Sequence, residues 1–195
     1  SLRKLASNKI FSFVNVFGLA AGLALFGIIC LFIKYENSFD KFHPNANRLF
    51  RVNTTMKYEG TTPSTLALSS AKIGTFLLNN FSEFESYTRV VAGAEDILLK
   101  YRNQEMVFPK SISADSNFFS VFNFRFVYGD RATALSNPDG IVITEKIATT
   151  VFNKENPVGK ILSQVLKTAE GKDTTVSSII TGVVEVPETS HLQFD

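Results

Sequence analysis

The sequence predicts an α+β protein on a membrane anchor, with one N-terminal transmembrane helix followed by an extracytoplasmic α+β domain built on a mixed or antiparallel sheet. Three observations lead there. Ile10 to Ile33 is a run of about 24 residues without Asp, Glu, Lys, Arg or His, which as a helix reaches roughly 36 Å and can cross a hydrocarbon core about 30 Å thick. Basic residues gather ahead of that run. Beyond it, segments of period-2 hydrophobicity alternate with segments of helical period, the pattern of helices packed against a sheet.

The charges give the span a direction. Arg3, Lys4, Lys9 and Lys34 fall within residues 1–34, which contain no acidic residue, so the remaining chain is slightly acidic although the whole has a formal charge of +2. Three cations precede the span, whereas Lys34 is followed by Glu36 and Asp40. The positive-inside rule places the N-terminus in the cytoplasm and the chain from about residue 35 outside. The expected division is therefore 1–34, a cytoplasmic basic segment and membrane helix, and 35–195, an extracytoplasmic domain.

Other readings of the run fit less well. A cleaved signal peptide has a shorter apolar core and a small-residue cleavage site at its end, whereas this run leads into Ile33-Lys34-Tyr35-Glu36, with Leu19-Ala20-Ala21-Gly22 only in mid-run. A buried helix of a soluble protein rarely stays uncharged for so many turns. Gly18 and Gly22 stand four apart, a spacing that lets a second helix approach closely, so helix packing is expected on that seam. Ser12 and Asn15 lie near the cytoplasmic end, where water or headgroups satisfy them.

Composition narrows the function. The one cysteine, Cys30, lies inside the run, which excludes an intrachain disulfide and a cysteine-based metal or redox site. With 19 Phe and no Trp, the outer domain is expected to have a Phe-packed core. Its slight acidity argues against nucleic acid as a partner.

The elements follow in order. Phe50, Val52, Thr54, Met56 and Tyr58 alternate with polar residues as a strand with one buried face. Pro63-Ser64 opens a helix capped by Ser64, with Leu66, Ala67, Ile73, Leu77, Leu78 and Phe81 turned inward. Tyr87 to Val91 is a short strand, and Ile97 to Tyr101 and Glu105 to Phe108 form a hairpin around Asn103. Asp115 caps a helical turn carrying Phe118, Phe119 and Phe122. Phe122, Phe124, Phe126 and Tyr128 then alternate in a strand that stops at Gly129-Asp130. Ile141 to Ile143 is a short apolar strand, and Thr144 caps a helix whose stripe is Ile147, Ala148, Val151 and Phe152; Asn156-Pro157 ends it. A turn at Gly159 leads to a strand from Ile161 to Leu166. Gly171-Lys172-Asp173 turns into a long strand from Thr174 to Val186, with Val176, Ile180, Val184 and Val186 on one face, stopped by Pro187.

Chemistry is sparse. Gly159-Lys160 superficially resembles a phosphate loop, but Ile161 replaces the required Ser or Thr and Lys154 stands where the first Gly should be. Glu188, His191 and Asp195 can be drawn as a metal cluster, yet residues at a strand end more often make turn hydrogen bonds, and metal sites need convergent ligands with a supporting shell. Asp40 and His43 read as a polar junction between membrane helix and first strand. No Ser-His-Asp set or GxSxG elbow is visible. The expectation is a non-enzyme with no metal, cofactor or catalytic residue.

Several phrases together carry a resemblance. Leu2-Arg3-Lys4-Leu5, Asn8-Lys9, Phe13, Asn15 and Gly18-Leu19-Ala20 resemble the opening of ABC transporter permeases of the MacB-like and FtsX-like family. Phe39-Asp40-Lys41-Phe42-His43, Asn45-Ala46 and Arg48-Leu49-Phe50-Arg51-Val52 are similar to the element after the first membrane helix in Bacteroidetes-type members. So are Ala114-Asp115 with Phe118-Phe119 and Val121-Phe122, Gly129-Asp130 with Ala134-Leu135 and Pro138, Pro157-Val158-Gly159-Lys160, and Pro187 with Ser190-His191-Leu192-Gln193-Phe194-Asp195. Glu185 stands where the family often has Asp. Members continue beyond the position of Asp195, so an N-terminal fragment is expected, carrying the first membrane helix and most of the periplasmic core domain.

The resemblance implies a permease subunit of the bacterial inner membrane that works as a homodimer or paired permease. It implies a separate cytoplasmic ABC ATPase whose hydrolysis moves the membrane helices and, through them, a periplasmic domain, for export or extraction of substrate; periplasmic partner proteins and membrane lipid are further expected contacts. Arg3, Lys4 and Lys9 would lie at the cytoplasmic surface. The rival class is a single-pass sensory receptor with a ligand-binding outer domain, and a membrane-tethered structural protein is a third. Three further hydrophobic spans after Asp195 would favour the permease; one span and a long polar cytoplasmic segment would favour the receptor. Were the continuation to supply strands, the last strand of this chain would be left with an unpaired edge.

Overall fold

The computed structural model describes residues 9–93, 97–102, 104–108, 111–153, 155–167 and 173–194. The chain divides into two compact units, Ser1–Lys41 and Phe42–Asp195.

The first unit is dominated by helix α1, Lys9–Glu36, 28 residues with no buried side chain. At about 1.5 Å per residue it is roughly 42 Å long, and it is long and apolar enough to cross a membrane. Lys34 is the basic residue of its last turn, where a cation complements the helix dipole. Beyond the helix, Asp40 takes a left-handed backbone conformation, φ 56°, which Asp tolerates better than most side chains.

The second unit is an α+β domain on a mixed sheet. Strands β1 (Thr54–Met56) and β2 (Ser64–Leu66) form a small antiparallel pair, and helix α2 spans Ile73–Asn80. Strand β3 (Val90–Ala92) pairs antiparallel with β6 (Ile112–Ala114). The main sheet contains β4 (Ile97–Tyr101), β5 (Gln104–Phe108), β7 (Arg125–Gly129), β8 (Gly140–Thr144), β9 (Ile161–Lys167) and β10 (Asp173–Glu185). Its path runs β5-β4-β9-β10-β7, and β8 pairs parallel with β10. Helices α3 (Phe118–Val121) and α4 (Glu145–Phe152) complete the unit.

β10 organises this sheet. Adjacent N–H groups of a strand point to opposite edges, and the Ile179 N–H donates to Asp139 O while the Ile180 N–H donates to Lys160 O. The two edges of β10 are thereby engaged by the segments that contain β8 and β9. The last strand is therefore central over residues 179–184, whereas residues 173–178 register with β9 alone.

Two apolar clusters lie against the sheet. One joins Leu99, Phe108, Ile143, Leu162, Ile180 and Val183 to the α4 stripe of Ile147, Ala148, Val151 and Phe152. The other gathers Phe118, Phe119, Phe124, Ala134, Val184 and Phe194. Successive residues of β8 divide between them: Ile141 and Ile143 join the first cluster, Val142 the second. The single face expected for Val176, Ile180, Val184 and Val186 does not survive. Register shifts between Ile180 and Gly182 and between Val183 and Val184 reset the alternation, as bulges do, so Ile180 shares the first cluster with Val183 while Val184 lies in the second, and Val176 is exposed.

The unit from β8 to β9 forms as its sequence dictates. Thr144 Oγ1 accepts the Ile147 N–H at 3.2 Å, capping α4. Asn153 closes that helix in the left-handed conformation, φ 55°. Gly159, at φ +86°, makes the turn into β9, a conformation that favours glycine.

Other local expectations fail. The stretch from Phe50 to Tyr58 contributes only the three residues of β1, and its alternating apolar side chains are exposed, Phe50 by 82%. The helix expected from Ser64 begins at Ile73, because Ser64–Leu66 pairs with β1 instead. The strands expected at Tyr87–Val91 and Phe122–Tyr128 are β3 and β7, starting three residues later in each case. Asp115 does not cap α3 with its side chain. Asn117 holds the N-cap position, and the Asp115 carboxylate is engaged by Arg89 while its backbone carbonyl accepts the Phe118 N–H at 3.0 Å. Asn103, Gly171 and Lys172 lie outside the described residues.

Candidate functional site

The most constructed polar feature lies where the second unit begins. His43 is only 3% exposed, and its Nδ1 accepts the backbone N–H of Asn123 at 3.0 Å. A nitrogen that accepts cannot carry a proton, so this geometry requires a deprotonated Nδ1. The ring lies 3.9 Å from that of Phe42 and 5.5 Å from those of Phe122 and Phe124. Asn123 is braced in turn: its Oδ1 accepts from Arg131 Nη1, and Arg131 Nη2 donates to Phe124 O at 2.8 Å. His43 is thus a core residue of the domain and more than the polar junction that a His near Asp40 suggests. Its burial depends on Phe122 and Phe124, some 80 residues away, although the density of Phe on both segments is a usable hint.

The C-terminal motif converges on the same aromatic cluster. Phe194 packs 5.4 Å from Phe124 and 6.3 Å from Phe118, ring to ring. Ser190, 1% exposed, holds the preceding turn: its Oγ donates to Leu192 O and accepts the Leu192 N–H. Gln193 Nε2 donates to Pro187 O and Ser190 O. These turn hydrogen bonds come from Ser190 and Gln193 rather than from Glu188, His191 or Asp195, the residues for which they are expected. Among the described residues no group of three His, Cys, Asp or Glu side chains could hold a metal ion; Asp195 is outside them.

Lys160 Nζ bonds Glu155 Oε2 at 2.7 Å and lies 5.1 Å from the Phe152 ring centre, and that hydrogen bond pulls the Glu155 carboxyl below its usual range. The Gly159 N–H donates to Ile180 O at 2.7 Å, so it serves the sheet. Arg89 grips Asp115 through Nε and Nη2, with Nη2 2.7 Å from Oδ1, and its backbone N–H donates to Oδ2 at 2.9 Å. Arg89 accordingly holds the Asp115 carboxyl below the ordinary carboxylate range. Gly18 and Gly22 lie within α1. Lys9 opens α1, whereas Arg3 and Lys4 are outside the described residues. An open cleft of about 690 Å³ runs between α4 and the C-terminal segment, lined by Glu145, Lys146, Thr149, Glu185 and Glu188 among others.

Comparison with known proteins decides the family. The sequence matches the family model of the MacB-like periplasmic core domain over residues 12–195. The chain belongs to that family. Among solved structures, the MacB-like chain is similar to a domain of a candidate permease from Porphyromonas gingivalis, at 22% identity and a TM-score of 0.55, covering 73% of this chain and 58% of that one. It is also similar to the periplasmic region of MacB from Actinobacillus actinomycetemcomitans (16% identity, TM-score 0.45, covering 60% of this chain and 51% of that one). A third is the extracellular domain of a noncanonic ABC-type transporter, YknZ, from Gram-positive bacteria (17%, 0.37, covering 52% and 50%). The first of these supports the α+β fold. This MacB-like chain spans less than two thirds of the length of each. No curated protein matches the sequence at a significant level. Family membership and the N-terminal apolar helix make this a membrane-anchored protein with an extracytoplasmic domain of the MacB-like family.

Proposed function

We propose that the protein is the permease subunit of an ABC transporter of the bacterial inner membrane, transmitting ATP-driven motion from a separate cytoplasmic ATPase to its periplasmic domain. The observation that carries this reading is the family match across residues 12–195, which includes the apolar helix and the outer domain in one unit. In this reading the chain is a non-catalytic subunit whose domain boundary lies near residues 34–35. Arg3, Lys4 and Lys9 sit at the cytoplasmic surface, supported by the charge asymmetry about the span. Gly18 and Gly22 pack against a neighbouring membrane helix, of a second copy or a paired permease. Contacts with periplasmic proteins and lipid complete the assembly.

Gentle solubilisation of membranes carrying the full-length protein tests the reading. A cognate ATPase is expected to copurify with it; consistent failure to recover one, under conditions that preserve related complexes, would contradict the proposal.

A further inference from the structure

If motion is delivered to the domain through the chain, it has to enter at Phe42, the first residue of the second unit. The backbone beyond Phe42 is poorly suited to carry a pull. From Phe42 to Thr54, the first residue of β1, there are about a dozen residues with a single 3-10 turn, Ala46–Arg48, and no strand pairing. Such a stretch, drawn taut, lengthens to roughly 40 Å at about 3.3–3.6 Å per residue. Among the described residues, side-chain hydrogen bonds along it that reach the rest of the domain are at exposed positions, among them Asn45 Nδ2 to Val121 O at 3.4 Å, Arg48 to Glu85 at 2.6 Å, and Ser69 Oγ to Val52 O at 2.7 Å. Left to these, the segment would straighten as slack before the sheet moved. The buried His43, bonded to Asn123 and stacked among Phe42, Phe122 and Phe124, comes before all of them.

We propose that His43, with Phe42, is the anchor at which motion of the membrane helix is taken up by the domain. This inference rests on the transmission reading above and names the residues that make it mechanical. The anchor loads a rigid target. Phe124 is fully buried, in contact with Phe118 and Phe194, and Val184 of β10 lies in the same cluster. Force applied at residues 42–43 therefore reaches the central strand through close-packed rings, which transmit displacement rather than absorbing it. His suits this position because its ring fills an aromatic niche while Nδ1 satisfies a backbone donor. An aliphatic side chain would leave the Asn123 N–H without that acceptor.

The test pulls on the full-length protein in a bilayer, with handles at Asn37→Cys and Val107→Cys in a Cys30→Ser background. The wild type is expected to show no extension before the domain yields cooperatively. Phe42→Ala/His43→Ala is expected to give an early, low-force extension equal to the taut length of about 40 Å less the distance that residues 42–54 already span in the fold, with β9 and β10 amides still protected from exchange. His43→Gln, which keeps an acceptor, is expected to suppress most of it. Should the double variant fail to fold, the wild-type trace decides alone: an early extension of that size would overturn the anchor. In the assembled transporter, the ATP-driven displacement of a label at Val107 is expected to fall at least twofold in His43→Ala, while ATP hydrolysis persists. An undiminished displacement in a folded His43→Ala protein would also overturn the proposal. A wild type that passes the pulling test but shows no ATP-driven displacement would instead defeat the transmission reading.

Discussion

Two regions of the outer domain present similar apolar patterns and treat them differently. From β8 through β10 the chain supplies an interior: Leu162, Ile180 and Val183 are fully buried and the stripe of α4 lies on them, although Ile161 and Val176 remain exposed. From Leu49 to Ala92 they face outward, with Phe50, Tyr58, Leu68 and Phe76 all more than half exposed. In α2 only Gly74 is buried. This second region is held by polar ties: Arg48 to Glu85, Thr55 to Thr65, Thr75 to Tyr87 and Arg89 to Asp115. Periodicity states which side chains share a face; whether that face is covered is a separate, non-local matter.

The comparison is broken most sharply by truncating one Phe in each region. Phe124→Ala removes a buried ring that touches Phe118, Phe119 and Phe194, and is expected to destabilise the domain by about 3–5 kcal/mol. Phe50→Ala, at an exposed position, is expected to change stability by less than about 0.5 kcal/mol. Denaturant unfolding of the two variants measures the contrast. Equal losses would mean that the exposed region is packed after all.

A smaller effect separates the helices. Thr144→Ala deletes the α4 cap and should cost about 1 kcal/mol. No side chain caps α2 at Lys72, so Lys72→Ala is expected to be close to neutral. The same unfolding experiment reads both.

The smallest effect is a pH dependence confined to the polar-tied region. Because Arg89 depresses the Asp115 carboxyl, this pair contributes stability in full above the ordinary carboxylate range and loses it as pH falls through the depressed value. Exposure of Arg89 to solvent keeps the contribution modest. Lowering the pH from about 5 towards about 2 should reduce amide protection at Val90–Ala92 before that of β9 and β10, and Asp115→Asn should remove the difference. Simultaneous loss in both regions would show that the pair is not what distinguishes them.

These contrasts also explain what can be read from the chain. The β8-α4-β9 unit is legible because each of its signals is local: the apolar triplet, the cap at Thr144, the stripe and the turn at Gly159. The span is legible for the same reason, since length and absence of charge suffice. Ser64–Leu66 reads wrongly as helix because its partner, β1, is a separate segment, and the spacing of Leu66 and Ile73 fits a helix equally well. The alternation of β10 misleads because bulges leave no mark in residue type. His43 reads as a polar junction because Asp40 and Lys41 lie just ahead of it, while the rings that enclose it beyond its own neighbour Phe42 come from Phe122 and Phe124.

The transmission account is tested most directly by watching the domain while the motor turns over. With a donor at Val107→Cys in the Cys30→Ser background and acceptors on lipid headgroups, energy transfer in the reconstituted full-length complex is predicted to change on ATP addition and return to its starting value after hydrolysis. An efficiency that stays constant while ATP is being hydrolysed would contradict the account.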